Sequence, residues 1–226
     1  MTKKNFYKLT LVTNKNRQPI EPYLEFILTC IKAGITSVQL REKNLSKKDL
    51  LSFGHCVKEL LDPFNIPLII NDHVNICLEL NAAGVHLGQL DEDIISARQI
   101  LGPEKIIGLS VNTMGQIQHA NNLPIDYIGL GAIFRTQSKL NIETIWELSG
   151  LKVAVAISSH PIIAIGGINV DNVYAVMKSG ASGVAAIGAF HDAADPYMTT
   201  QNLITTINKV HHDRKNRKGN YQTETT

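Results

Sequence analysis

Eight short apolar runs, each followed by a stretch of helical periodicity, constrain this chain more than any other feature of it. The runs are Tyr7–Thr13, Ser37–Arg41, Leu68–Asn71, Gly84–Leu87, Ile106–Ser110, Tyr127–Gly129, Ile162–Ile165 and Gly183–Ile187. Most are apolar throughout and turn polar only at their C-terminal ends, as strands buried on both faces of a parallel sheet do. The intervening segments carry helix signals. Ser46 or Lys47 to Leu61 places Leu50, Leu51, Phe53, Val57, Leu60 and Leu61 at helical spacing, with Pro63 beyond. Asp91–Leu101 opens on three acids and stops at Gly102-Pro103, which makes Asp91 a candidate N-cap, and Asn169–Ser179 stops at Gly180. Lys32-Ala-Gly34, Asn81-Ala-Ala-Gly84 and Lys178-Ser-Gly180 repeat one phrase, a helix end leading into a buried strand.

Eight such units fit a single closed (β/α)8 TIM barrel, a fold that takes roughly 200–250 residues. An open doubly wound sheet uses fewer strands at this length, and no GxGxxG follows the first run. The reading is therefore an α/β barrel over residues 1–210. Residues 211–226, HHDRKNRKGNYQTETT, hold almost no apolar side chains and read as a disordered tail.

Charge narrows the partners. The 22 basic and 20 acidic residues include four basic and two acidic ones in the tail, so the body balances. Without a basic face on the folded part, nucleic acid is not an expected partner. No apolar run approaches the roughly 18 residues of a membrane span, and Lys8 and Asn14 interrupt the N-terminal stretch before a signal-peptide core forms. Cys30, Cys56 and Cys77 contain no CxxC pair and read as reduced thiols. A cytoplasmic protein with small-molecule partners is expected. Homo-oligomer or monomer is left open.

In such a barrel the chemistry sits at the C-terminal ends of the strands. There the chain places Asp72 and Asp91 among Arg41, Lys43, Lys139 and Arg135. Two acids ringed by cations suit Mg2+ beside a phosphate-rich substrate, because Mg2+ binds through few carboxylates plus substrate oxygens. Gly166-Gly167 and Ile187-Gly188, after the seventh and eighth runs, suit a separate monophosphate held by backbone N–H groups. His55, His73 and His86 have no metal-ligand spacing and read as hydrogen-bonded or surface histidines. Trp146 reads as helix packing, and Cys77 lacks an activating base.

Seven ordered motifs then resemble thiamine-phosphate synthase, of the superfamily it forms with thiazole tautomerase, over nearly the whole chain to about Val210. They are QLREK at 39–43, ND at 71–72, GVHLGQ-x-D at 84–91, IGLSVNT at 107–113, DYIGLGAIF-x-T-x-S-K at 126–139, PIIAIGGI at 161–168 and GASGVAAIGA at 180–189. The resemblance implies an enzyme joining hydroxymethylpyrimidine diphosphate to hydroxyethylthiazole phosphate, with thiamine phosphate and diphosphate as products. It implies that Gln39, Leu40, Arg41, Glu42, Lys43, Asn71, Ser110 and Lys139 bind the pyrimidine diphosphate. Asp72 and Asp91 would bind Mg2+, and Thr136, Gln137, Ser138, Gly167, Ile187 and Gly188 the thiazole phosphate. Arg41, Lys43, Lys139 and Ser110 would serve catalysis. The implied mechanism is dissociative: diphosphate leaves and the thiazole nitrogen captures a pyrimidine cation, with no protein nucleophile.

The chain departs from the family pattern at Ala132, Arg135 and Ser138, which replace two prolines and a threonine, and at Gly188, where serine is common. Two rivals are distinguishable. Thiazole tautomerase needs no second acidic metal ligand and uses a histidine where this chain has Asn112. A non-catalytic phosphate-binding barrel would not need to keep Asp72, Asp91 and Lys139 together.

Overall fold

The computed structural model describes residues 6–137 and 144–223, and side chains as far as Asn216. Eight parallel strands close into one barrel in sequence order: β1 (Leu9–Val12), β2 (Ser37–Leu40), β3 (Leu68–Asn71), β4 (Gly84–Leu87), β5 (Ile106–Val111), β6 (Tyr127–Gly131), β7 (Ile162–Ile165) and β8 (Gly183–Ala186). Each expected strand is present. β6 runs to Gly131, two residues further than the sequence suggested, and Ile187 lies just past β8.

Helices α1 (Ile20–Ala33), α2 (Lys47–Leu61), α3 (Val74–Glu79), α4 (Ile94–Leu101) and α5 (Met114–Ala120) cover the first five strands. The remainder are α6 (Glu147–Ile157), α7 (Val173–Lys178), α8 (Gly188–His191) and α9 (Pro196–Thr223). The Ser46 side chain caps α2 by accepting from Asp49 N, as its position before the periodic run implies. No helix among the described residues is long and apolar enough to cross a membrane.

Strand parity sorts side chains into two compartments. Leu9, Leu11, Val38, Leu40, Leu68 and Ile70 point outward into the main core between strands and helices. Their alternates, among them Val12, Ile69, Tyr127, Ile163 and Ala185, fill the barrel interior. Towards the C-terminal end that interior set turns polar, with Gln39, Asn71, His86 and Ser110. The alternation that stabilises the barrel therefore also lines its mouth.

The C-terminal segment departs from the disordered-tail expectation. Leu203, Ile207 and Val210 are buried at helical spacing, and α9 continues without a break through 211 to Thr223. Extending a helix already held by tertiary packing costs little compared with starting one. Arg214 adds an anchor: its Nη1 donates to Ala181 O at 2.9 Å. Polarity of composition hid that reach-back contact.

Candidate active site

A cavity of about 700 Å³ opens at the C-terminal ends of the strands, where the sequence places the chemistry. One wall carries Arg41, Lys43, Asn71, Asp72 and Asp91; the other carries Thr136, Gly167, Ile187 and Gly188; Gln39 and Ser110 lie deeper. Eleven of the sequence-derived candidates thus meet in one place. Ser138 and Lys139 lie outside the described residues.

Three candidates take other positions. Leu40 is fully buried in the main core, because it alternates with the inward-facing Gln39. Glu42 turns towards the loop after β1, where its Oε1 accepts from Lys15 N at 2.8 Å. Neither lines the cavity; of the five residues in the QLREK run, Gln39, Arg41 and Lys43 do. Gln137 is exposed and also lies off the lining.

The acids are arranged by the backbone. Asp72 follows β3 in a left-handed conformation, φ 67°, a region that Asp tolerates better than most residues. Its amide donates to His86 O at 2.9 Å. Asp91 is not the α4 cap: Asp93 takes that role, accepting from Ser96 N at 3.0 Å. The helix starts three residues later than the acids suggested, which leaves Asp91 in the loop. There its Oδ2 accepts from Gly88 N at 2.6 Å, closing a tight turn at the cavity mouth.

Electrostatics set Asp72 apart from an ordinary exposed carboxylate. Burial, then the charge of Asp91 and a hydrogen bond with it, push the Asp72 pKa up to about 6, although Lys43 and Arg41 pull the other way. Lys43 Nζ approaches Asp72 Oδ2 only to 3.9 Å. Two neighbouring carboxylates, incompletely neutralised, form the donor set a divalent cation requires, and hard oxygen donors suit Mg2+. Among the described residues no group of three or more His, Cys, Asp or Glu is placed to hold a metal. Two carboxylates therefore fit Mg2+ completed by substrate oxygens and water, not a fully protein-ligated ion.

The opposite wall is shaped by close backbone approach. Gly167 has φ 65°, and a Cβ there would lie 2.6 Å from Arg135 O and 2.8 Å from Phe134 Cβ. Glycine is needed so that the loop after β6 can pack on the loop after β7. Asn172 Nδ2 holds the turn by donating to Gly167 O at 2.9 Å.

Sequence reasoning passed over three features. His86 is hydrogen-bonded, as expected, but its partners are Tyr127 Oη at 2.9 Å and Ser110 Oγ at 2.8 Å, inside the cavity. Tyr127 opens its strand, a position that reads as core, and only the inward parity it shares with Gly129 marks it. The third is Gln89, whose Nε2 donates to Ser110 O at 2.7 Å and fixes the end of β5. The thiols behave as the sequence suggests: burial pushes Cys30 and Cys77 up to about 11, so both stay protonated and inert.

With this geometry in place, comparison with known proteins decides the family. A model described as thiamine monophosphate synthase matches residues 9–190, from the first residue of β1 to one residue short of the end of α8. The chain belongs to the thiamine monophosphate synthase family. Family members named thiamine-phosphate synthase include one from Chlamydia abortus, 53% identical over 199 residues, or 88% of this chain and 94% of the relative. Another, from Vibrio parahaemolyticus, is 41% identical over 89% of this chain and 98% of its own. Among solved structures, thiamine phosphate pyrophosphorylase from Pyrococcus furiosus superposes with a TM-score of 0.82 at 30% identity, covering 92% of this chain and 98% of that one. A 3-hexulose-6-phosphate synthase, 20% identical with a TM-score of 0.68, shares the fold.

Proposed function

We propose that this chain condenses hydroxymethylpyrimidine diphosphate with hydroxyethylthiazole phosphate, releasing diphosphate and forming thiamine phosphate. The observation that carries this reading is the pairing of Asp72 and Asp91 beside Arg41 and Lys43 in one cavity. A diphosphate leaving group needs such a wall, and an isomerase acting on a monophosphate does not.

The pyrimidine end enters the floor at Gln39 and Ser110, with the diphosphate against Arg41, Lys43 and Asn71. Asp72 and Asp91 would hold Mg2+, which would supply Lewis acidity to the diphosphate oxygens. Arg41 and Lys43 stabilise the charge that grows on the leaving oxygen as the methylene C–O bond breaks and its electron pair departs. Lys139, which lies outside the described residues, would add a further cation by its resemblance to the family pattern. The thiazole phosphate occupies the wall of Thr136, Gly167, Ile187 and Gly188. That placement brings the thiazole nitrogen to the same methylene carbon, where its lone pair makes the new C–N bond. No protein group has to be a nucleophile or a base, and among the described residues the cavity lining holds neither an activated thiol nor a Ser–His–acid arrangement.

Incubating the purified chain with both substrates and Mg2+ tests the reading directly. Thiamine phosphate and diphosphate should appear in equal amounts and only with both substrates present. Isomerisation of a thiazole phosphate without condensation would favour the tautomerase reading instead.

A further inference from the structure

A tether reaches the Ile187–Gly188 wall of the cavity from behind. Ile187, Gly188 and Ala189 line that wall, whereas His191 and Tyr23 are not among the lining residues. The Ile187 carbonyl accepts three hydrogen bonds: from Phe190 N at 3.0 Å, from His191 N at 3.2 Å and, shortest, from His191 Nδ1 at 2.8 Å. The other ring nitrogen, Nε2, lies 2.7 Å from Tyr23 Oη. Tyr23 is buried on α1, and its Oη accepts from Asn14 N, in the loop after β1, at 2.9 Å.

Both ends of this file are backbone groups, and they fix its direction. Ile187 O can only accept, so the imidazole hydrogen sits on Nδ1; Asn14 N can only donate, so Tyr23 Oη accepts from it. The neutral ring then accepts at Nε2, and the phenol hydrogen goes there. Aromatic packing holds the imidazole as well. It stacks on Tyr23 with centroids 5.8 Å apart at 27°, and lies 5.0 Å from the Phe26 ring.

Holding Ile187 O determines where the next amide points. The 187–188 peptide is trans and planar, so its N–H leaves the edge opposite its C=O. With the carbonyl drawn back towards His191, the Gly188 N–H is turned to the cavity that Ile187 and Gly188 line. α8 spans only four residues, too few for helical bonding alone to hold that plane. Gly188 also stands where serine is common in the family, so this position offers an anion no hydroxyl, only the amide.

We propose that His191 is a positioning residue, held by Tyr23, that aims the Gly188 amide at the phosphate of the thiazole substrate. The inference rests on the proposed function for which phosphate stands at this wall, but its test does not require turnover. The effect should be confined to one substrate, because the file ends on the Ile187–Gly188 peptide, across the cavity from Arg41 and Lys43.

Calorimetric titration of the full chain reads the effect with three probes: hydroxyethylthiazole phosphate, Mg2+-diphosphate, and inorganic phosphate added at saturating Mg2+-diphosphate. His191→Phe keeps a ring against Tyr23 and Phe26 but has no donor. It should weaken hydroxyethylthiazole phosphate and inorganic phosphate about 10-fold, the value of one hydrogen bond. Mg2+-diphosphate affinity should stay within about 2-fold. His191→Asn gives up the ring but sets an amide N–H near the place of Nδ1. It should melt lower than His191→Phe yet bind both phosphates more tightly, within about 3-fold of the unsubstituted chain. In turnover, His191→Phe should raise the KM for hydroxyethylthiazole phosphate and leave kcat nearly unchanged. A histidine that only supports the fold would give the opposite order, with affinity following stability. Asparagine binding no better than phenylalanine, an equal loss of Mg2+-diphosphate affinity, or no loss in His191→Phe would overturn the proposal. If His191→Phe lacks a cooperative melt, Tyr23→Phe takes its place: a loss of about 3-fold for hydroxyethylthiazole phosphate alone is expected, and no loss would overturn it. A chain that shows these affinities yet makes no thiamine phosphate would fail the functional reading and keep the tether. An active synthase with an unchanged KM in His191→Phe would do the reverse.

Discussion

Asp72 lies close enough to Asp91 to feel its charge, although the two residues belong to different loops, after β3 and after β4. Like charges so placed raise each other's energy, and burial at Asp72 adds to it. The fold tolerates this arrangement at the barrel mouth because Arg41 and Lys43 offset part of it. An incompletely neutralised acid pair is stored strain that a bound cation relieves.

That strain gives the first prediction. The Asp72 pKa is raised from its ordinary 3.8 to about 6, so its stabilising contribution is full below about 3.8 and is lost as pH rises through about 6. Asp72→Asn, neutral throughout, should therefore melt higher than the unsubstituted chain at about pH 8 without Mg2+, with the gain vanishing towards about pH 4. Condensation activity should be lost in the same variant. Thermal melts across pH, read beside the rate, check both halves.

Asp91 and Asp93 should separate cleanly. Asp93→Ala removes the α4 cap, so its melting temperature should drop by a few degrees while activity persists. Asp91→Ala should leave the melt nearly unchanged and cut turnover by roughly 100-fold or more. Equal effects of the two substitutions on both measurements would contradict the assignment.

His191 should make stability fall in mild acid. Burial first, against opposing contributions from the Ile187 carbonyl and the charges of Asp192 and Glu42, holds its pKa below the ordinary 6.5. Its Nδ1 donates to Ile187 O at 2.8 Å and its Nε2 accepts from Tyr23 Oη at 2.7 Å, a neutral-ring arrangement. A lowered folded pKa means stability that is full above about pH 6.5 and lost as pH falls through the folded value. His191→Gln should flatten that part of the melting curve.

Much of this was legible in the residues. Strand parity and polar C-terminal ends gave the barrel and its mouth, and the ordered motifs placed Arg41, Lys43, Asp72 and Asp91 on one wall. Local chemistry was harder to read. Three acids in a row, Asp91, Glu92 and Asp93, all suit a helix start, and only the backbone geometry shows that the third caps it. Leu40 and Glu42 sit inside a motif whose other members face the cavity, and contiguity concealed their opposite parity. The bonds of His86 to Tyr127 and Ser110 were not legible, because a side chain's partners across a barrel are set by register, which no single segment reveals.

The C-terminal helix extension is testable by truncation. Removing residues after Val210 deletes the Arg214 bond to Ala181 O. It should cost about 1 kcal/mol, or roughly 2–4 °C in Tm, with little change in activity. Arg214→Ala should reproduce most of the shift.

The central claim is that Asp72 and Asp91 together hold the ion that assists diphosphate departure in a condensation. The initial rate of thiamine phosphate formation as a function of Mg2+ concentration, in the unsubstituted chain and in Asp91→Asn, tests it most directly. The account predicts a rate that saturates with Mg2+ in the former, and in the latter a rate at least about 100-fold lower that needs far more Mg2+ to rise. Equal rates with the same Mg2+ dependence in a folded Asp91→Asn would contradict it.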